Sequence, residues 1–181
     1  RTGYLEAVTK QVIERSPYRK ESDCIYYPAC GGCNLRDVEY EHQAYIKEEV
    51  VKDCVRRIGK VTDCEMLPII KCSATDNYRN KTEFTFSRMR YYTEKDMGND
   101  PDGEQFTLGF HAPKFFSKAI DIHKCNLQPE LMNAVYFSLK EKLKNSGLEP
   151  YDVVKHEGFL RYLVIRKSNA DEIMINLITK S

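Results

Sequence analysis

The segment C-I-Y-Y-P-A-C-G-G-C-N-L, residues 24–35, places three cysteines within ten residues. Thiolates bind zinc, copper(I) and iron–sulfur clusters in preference to hard cations. Gly31 and Gly32 have no Cβ, so the backbone between the last two cysteines can turn tightly and approach a bound centre closely. The segment therefore predicts a soft-metal site with three local ligands and a fourth from elsewhere in the chain; the local ligands are Cys24, Cys30 and Cys33.

The fourth ligand has one strong candidate among the remaining cysteines. Cys125 ends the segment D-I-H-K-C, between a predicted short strand and a predicted helix, where a loop can present its thiol. Cys54 lies on the apolar stripe of a predicted helix, where a free cysteine is usually a small buried hydrophobic residue. The weaker candidates lie in connecting segments or are histidines without a neighbouring ligand: Cys64, Cys72, His42 and His123.

Four thiolates fit either tetrahedral zinc or an iron–sulfur cluster. Zinc sites typically combine two closely spaced pairs of ligands. Here three ligands are clustered, as C-x5-C followed by C-x2-C, and the fourth is remote. This asymmetry favours a cluster and leaves zinc as the alternative. A disulfide framework is disfavoured because the seven cysteines are an odd number in a chain of 181 residues.

The composition narrows the class of protein further. The net charge is +1, and the chain has 12 Tyr and 8 Phe but no Trp. No apolar run is long enough to span a membrane, and no secretory pattern is visible, so we predict a soluble, cytoplasmic protein without a membrane partner. The glycines form neither a dinucleotide-binding nor a P-loop motif, which disfavours a nucleotide cofactor bound within these residues.

The hydrophobic patterns alternate between strand and helix periods. Three-to-four spacing predicts helices over 39–58 and 129–145, each followed by a glycine. Strands are predicted over residues 3–14, 81–92, 106–111, 118–123, 151–168 and 171–179, with an acidic hairpin loop over 93–105. Because strands and helices are mixed without regular alternation, the order predicts an α+β fold with a mainly antiparallel sheet and two helices.

Two predicted strands are both basic and aromatic. They are Y-R-N-K-T-E-F-T-F-S-R-M-R over 78–90 and F-L-R-Y-L-V-I-R-K over 159–167. Basic side chains interleaved with aromatic rings can bind RNA phosphates while unpaired bases stack. The same alternation is also typical of an ordinary strand with one face in solvent, and composition alone favours that interpretation.

Six segments taken together resemble the RNA uracil-C5 methyltransferases of the RumA/TrmA type, in particular the branch that carries a [4Fe–4S] cluster and acts on 23S rRNA. They occur in the order of the family and cover nearly the whole chain: residues 24–35, 40–47, 78–86, 108–112, 121–125 and 159–166. The longer acidic stretch over 93–105 is a departure from the family pattern.

The resemblance implies that residues 1–15 end a TRAM domain of the OB type and that 16–181 form the central iron–sulfur and RNA-binding domain. The S-adenosylmethionine-binding domain and the catalytic cysteine of the family would lie beyond residue 181, so no cysteine of this chain is expected to be the nucleophile. The implied cluster ligands are Cys24, Cys30, Cys33 and Cys125. The implied RNA contacts are Arg79, Lys81, Phe84, Arg161 and Arg166.

The expected function is therefore the cluster-bearing, RNA-binding portion of an S-adenosylmethionine-dependent uracil-5-methyltransferase. In this family a cysteine thiolate adds to C6 of the uracil before C5 is methylated. Ribosomal RNA is the expected substrate ahead of tRNA, the cluster is expected to be architectural, and the protein is expected to be a monomer. Two alternatives come from other classes: a zinc-ribbon-like RNA-binding module and an iron–sulfur electron-transfer protein.

Overall fold

The computed structural model describes residues 3, 5, 7–93 and 106–181. Within-chain contacts divide the chain into two compact units. Unit 1 comprises Arg1–Ser22 and Asp37–Ile70, and unit 2 comprises Asp23–Arg36 and Lys71–Ser181. The predicted acidic loop lies outside the described residues except for its first residue, Thr93. No helix within the described ranges is long and apolar enough to cross a bilayer.

Unit 2 contains a six-stranded sheet and one helix. The elements are β1 (Lys81–Ser87), β2 (Met89–Arg90), β3 (Thr107–His111), β4 (Lys118–Asp121), α2 (Glu130–Lys144), β5 (Leu160–Lys167) and β6 (Ile173–Thr179). The strand order is β2-β4-β3-β1-β5-β6, and every neighbouring pair is antiparallel except β2 with β4. With α1 (Tyr40–Asp53) in unit 1, this confirms the predicted α+β fold with a mainly antiparallel sheet and two helices.

The core of unit 2 lies between α2 and one face of the sheet. Phe84 and Phe86 alternate with polar residues along β1 and are buried on this face. Tyr136 of α2 is also buried, and its ring lies 4.2 Å from that of Phe84. Its hydroxyl lies 2.6 Å from the carbonyl oxygen of Leu108 and 3.0 Å from that of Ile122, so its polar end is satisfied inside the core.

Unit 1 is built around α1. The helix ends in a π-helical turn, Cys54–Ile58, directly before Gly59, so the predicted helix over 39–58 is present but changes its hydrogen-bond pattern in the last five residues. Before the helix, the guanidinium of Arg19 and the carboxylate of Asp37 form an ion pair of 2.6 Å that links the two parts of unit 1. Ala44 is the buried residue of the helix.

One predicted strand is absent from the described residues, and another is shorter than predicted. The described residues between 3 and 14 form no strand, because no neighbouring strand pairs with them; Leu5, Val8 and Ile13 are each at least nine-tenths exposed. The predicted strand over 151–168 begins only at Leu160, since the residues before it form turns. Strand formers alone do not make a strand when the backbone has no hydrogen-bonding partner.

Gly109 occupies a position in β3 where no side chain fits. A Cβ there would overlap the carbonyl oxygen of Ile120 and lie 3.0 Å from its carbonyl carbon on β4. Because both neighbours are backbone atoms, Gly109→Ala is expected to lower the free energy of unfolding by about 3 kcal/mol, the upper part of the usual range for overpacking. Urea unfolding monitored by circular dichroism measures this loss. Gly3→Ala, where nothing lies within 4 Å of the added Cβ, is the control and should leave the midpoint unchanged.

Candidate functional site

The four cysteines of the predicted ligand set line one pocket of unit 2. Cys24, Cys30 and Cys33 come from the segment Asp23–Arg36, which belongs to unit 2, and Cys125 comes from the loop between β4 and α2. All four thiols are partly buried, and none of them is in a disulfide. Apolar or aromatic walls are provided by Tyr26, Tyr27, Phe110, Ile122 and Leu127. The fold therefore brings Cys125 into one pocket with three thiols that are at least ninety residues away in sequence.

Backbone hydrogen bonds shape the loop of three cysteines. The N–H of Cys30 donates to the carbonyl of Tyr26 at 2.8 Å, which closes a turn between the first two cysteines. The N–H of Gly32 then points at the sulfur of Cys30, 3.4 Å away. A Cβ on Gly31 would lie 3.0 Å from the carbonyl oxygen of His111, so this glycine allows the loop to pack closely against the end of β3.

Side chains from α2 and the first loop position the backbone around Cys125. The side-chain oxygen of Asn133 accepts the N–H of Cys125 at 3.0 Å, while its amide donates to the carbonyl of Cys125 at 3.3 Å. The hydroxyl of Tyr26 accepts the N–H of His123 at 2.9 Å. The two loops that carry the thiols are therefore held by specific polar contacts in addition to packing.

Arg36 forms a partly buried ionic cluster with Asp23 and Asp76 at the edge of the pocket. Its guanidinium donates to both carboxylate oxygens of Asp23 at 2.8 and 2.7 Å and lies 2.6 Å from Asp76. Burial lowers the pKa of Arg36, but the two carboxylates raise it by more, so the net shift is upward. The hydrogen bond from Arg36 likewise lowers the pKa of Asp23. The cluster therefore stays charged and fixes both ends of the loop of three cysteines.

The thiols in the pocket influence one another electrostatically. Burial, and then the neighbouring thiols, raise the pKa of Cys30 to about 11. Burial, Cys125 and Cys24 also raise the pKa of Cys33, although Arg36 and Arg79 act in the opposite direction. Burial thus favours the protonated forms of Cys30 and Cys33, and metal binding to these two residues would have to displace their protons.

The four thiols line one pocket but do not form a recognisable metal-ion site. Among the described residues, no group of three or more His, Cys, Asp or Glu side chains is arranged around a single-ion position. The remaining cysteines lie elsewhere and are exposed: Cys54, Cys64 and Cys72. The prediction that Cys54 is a buried hydrophobic residue is therefore wrong, because it lies in the π-helical turn with its side chain in solvent.

The residues predicted to contact RNA are separated by the fold. Lys81 and Arg166 face each other in the register of β1 and β5 and are both exposed, on the sheet face opposite α2. Arg79 lines the cysteine pocket. Arg161 lines a different pocket, together with Thr85 and Tyr151. Phe84 is fully buried against Tyr136, so the prediction that it stacks on an RNA base is wrong.

Sequence reasoning did not identify the residues that position the two loops. Asn133 is a buried polar residue on the mainly apolar face of α2. A polar residue at such a position is the sequence feature that indicates a structural hydrogen bond. Tyr26 and Arg36 lie within or beside the cysteine segment, but nothing in their spacing indicates their partners, His123 and Asp76.

Comparison with known proteins relates this fold to RNA methyltransferases. A protein named as an uncharacterized RNA methyltransferase from Chlorobaculum tepidum is 38% identical over 182 residues, covering 99% of this chain and 38% of the relative. A relative with the same kind of name from Bacteroides thetaiotaomicron is 36% identical over 178 residues, covering 98% of this chain and 39% of the relative. The chain thus spans less than half the length of these curated relatives. No protein-family model matches the sequence.

A solved structure shows the same fold. It is the tRNA (uracil-54, C5)-methyltransferase of Pyrococcus abyssi in complex with S-adenosyl-L-homocysteine. The TM-score is 0.62 at 23% sequence identity, and the match covers 94% of this chain and 34% of that one. At this identity the likeness establishes the fold. Taken with the sequence relatives, the chain is homologous to one segment of proteins named RNA methyltransferases.

Proposed function

We propose that this chain is the cluster-bearing, RNA-binding segment of an S-adenosylmethionine-dependent RNA uracil-C5 methyltransferase. The observation that carries the proposal is a four-cysteine pocket within a chain homologous to RNA methyltransferases. Residues 1–15 would belong to a TRAM domain and 16–181 to the central domain. Methyl transfer is proposed for the whole protein, and no residue of this chain is assigned as its nucleophile.

The pocket suits a [4Fe–4S] cluster by the chemistry of its donors. Cys24, Cys30, Cys33 and Cys125 are four partly buried thiols that line one pocket, and thiolates are the ligands of such clusters. A bound cluster would supply four iron–thiolate bonds joining the first loop to the loop after β4. Asn133 and Arg36 already hold the two loops through hydrogen bonds, and the cluster would add a direct link between them, so its role would be architectural.

RNA binding is proposed for the basic surface of the sheet. Lys81 and Arg166 are adjacent across two strands, and their charges can neutralise phosphates. Ribosomal RNA is the proposed substrate because the cysteine segment resembles the branch that acts on it, and tRNA is the second candidate because the solved structure with this fold is named for that activity. The protein would act in the cytoplasm as a monomer.

The test is methylation by the protein expressed from its complete gene. Incubation with S-adenosylmethionine and separate rRNA and tRNA transcripts, followed by mass spectrometry of the nucleosides, is expected to show 5-methyluridine in the rRNA. Product in the tRNA alone would retain the activity and change the substrate. Methylation at another base, or none in either RNA with folded protein, would contradict the proposal.

A further inference from the structure

A second pocket opens on the face of the sheet opposite α2. It is lined by residues of β1 and of the start of β2, of the end of β3 and the loop that follows it, and of the start of β5, together with the turn at 151–153, which contains Asp152. Its position follows from strand alternation, because Phe84 faces α2 and Thr85, the next residue, faces the other way. All of its lining residues belong to unit 2, and none is a cysteine.

The floor of this pocket is polar and ordered. Thr85 Oγ1 lies 3.1 Å from Nε2 of His111, and Nδ1 of His111 lies 3.3 Å from the carbonyl oxygen of Lys118. That carbonyl can only accept, so Nδ1 carries a proton; in the neutral ring Thr85 then donates to Nε2. The oxygen of Thr85 keeps a lone pair that can accept an N–H from the edge of a base.

One wall of the pocket carries the guanidinium of Arg161, which lies against two aromatic rings. The guanidinium of Arg161 lies 4.8 Å from the ring centroid of Tyr151 and 5.8 Å from that of Tyr162. No carboxylate within the described ranges forms an ion pair with it. Tyr151 is fixed in turn, since its hydroxyl lies 3.0 Å from Nδ1 of His156, and its N–H donates to the carbonyl of Leu160 at 2.7 Å. The charge of Arg161 is therefore positioned and available.

The rim carries an aromatic ring in water. Phe116 lines the pocket and is 74% exposed, so its ring contributes little to the core. An exposed phenylalanine beside an available arginine matches the two needs of a single-stranded nucleotide, which are a flat surface for the base and a cation for the phosphate. A duplex would not supply the first contact, because its bases already stack on one another.

We propose that one unpaired nucleotide of the RNA binds over the mouth of this pocket, with the base against Phe116 and its phosphate at Arg161. The inference rests on the proposed RNA function and adds a defined site to it. In this site Thr85 accepts a hydrogen bond from the edge of the base. Tyr151 positions the guanidinium of Arg161. Tyr151 and Phe116 were not among the residues that the sequence suggested.

The test measures binding of a fluorescent single-stranded oligouridylate by the protein expressed from its complete gene, over a range of salt concentrations. Phe116→Ala is expected to weaken binding about tenfold without changing the salt dependence, since stacking involves no ion release. Arg161→Gln is expected to reduce the slope of log K against log salt by about 0.7, the contribution of one phosphate contact. Phe137→Ala and Lys142→Gln, both exposed on α2, are matched controls and should bind as the unsubstituted protein does.

The outcomes distinguish a failure of the nucleotide-site proposal from a failure of the proposed RNA function. If the unsubstituted protein binds this RNA and both pocket variants bind equally well, the pocket proposal is overturned while the RNA function stands. If the unsubstituted protein does not bind RNA, both are overturned. Equal losses in the pocket and α2 variants would also refute a specific site. Thermal unfolding of each variant ensures that a loss of binding is not a loss of fold.

Discussion

Cys125→Ser is expected to remove most of the iron and acid-labile sulfide from protein purified without oxygen. The unsubstituted protein is expected to contain about four of each per chain. Cys125 is the one proposed ligand that comes from the loop after β4, so its loss would disconnect that loop from the cluster. Serine is nearly the same size but is a poor ligand for a soft metal, so the effect reports ligation and not packing.

The chain provides its own controls for this experiment. Cys54, Cys64 and Cys72 are exposed and lie outside the pocket, so their replacement by serine should leave the iron and sulfide content unchanged. About one zinc per chain in place of iron would support the zinc-module alternative. Equal metal loss in the Cys54→Ser variant, or no metal in the unsubstituted protein, would contradict the assigned ligand set.

The cysteine pocket illustrates what a sequence can predict about a site. The spacing of Cys24, Cys30 and Cys33, and the place of Cys125 after a strand, predict that the four thiols act together. The fold does place them in one pocket, and metal binding there stays a prediction. The contacts that hold these loops could not be predicted in the same way. Asn133 acts through hydrogen bonds to a backbone eight residues away, and such pairing depends on how the helix packs.

The strands show the same division between pattern and packing. Alternation predicted that β1 has two unlike faces, but it did not show which face α2 covers. The resemblance implies that Phe84 contacts RNA although it lies in the core, whereas Phe116, in a connecting loop with no periodic pattern, is not among the implied contacts. Periodicity is a local property, and burial is decided by elements that are distant in sequence.

The predictions for the N-terminal segment and for Cys54 are wrong for a related reason. Residues 3–14 have the composition of a strand, but the described residues there have no strand partner. Cys54 has helical spacing from apolar neighbours, but Val50 and Val51 on the same helix are themselves more than half exposed. An apolar stripe predicts burial only where another surface packs against it.

Lys140→Met is expected to destabilise unit 2 by about 3–5 kcal/mol, because it leaves a nearly buried carboxylate without its counter-charge. Nζ of Lys140 donates to Asp121 Oδ2 at 2.8 Å and to the carbonyl of Ile122 at 3.0 Å. The two charged side chains are only 5% and 11% exposed, so water cannot replace the lost partner. Methionine preserves the length and the apolar stem, which restricts the change to the charge.

The double variant Lys140→Met with Asp121→Asn distinguishes an unpaired charge from a loss of packing. Removing both charges together is expected to recover most of the lost free energy of unfolding, since replacing a whole buried pair is often nearly neutral. Guanidinium unfolding of the single and double variants measures the difference. Equal loss in both variants would show that Lys140 acts through packing alone. Because Asp121 ends β4 and begins the segment that leads to Cys125, the single variant should also release iron faster, linking the pair to the cysteine pocket.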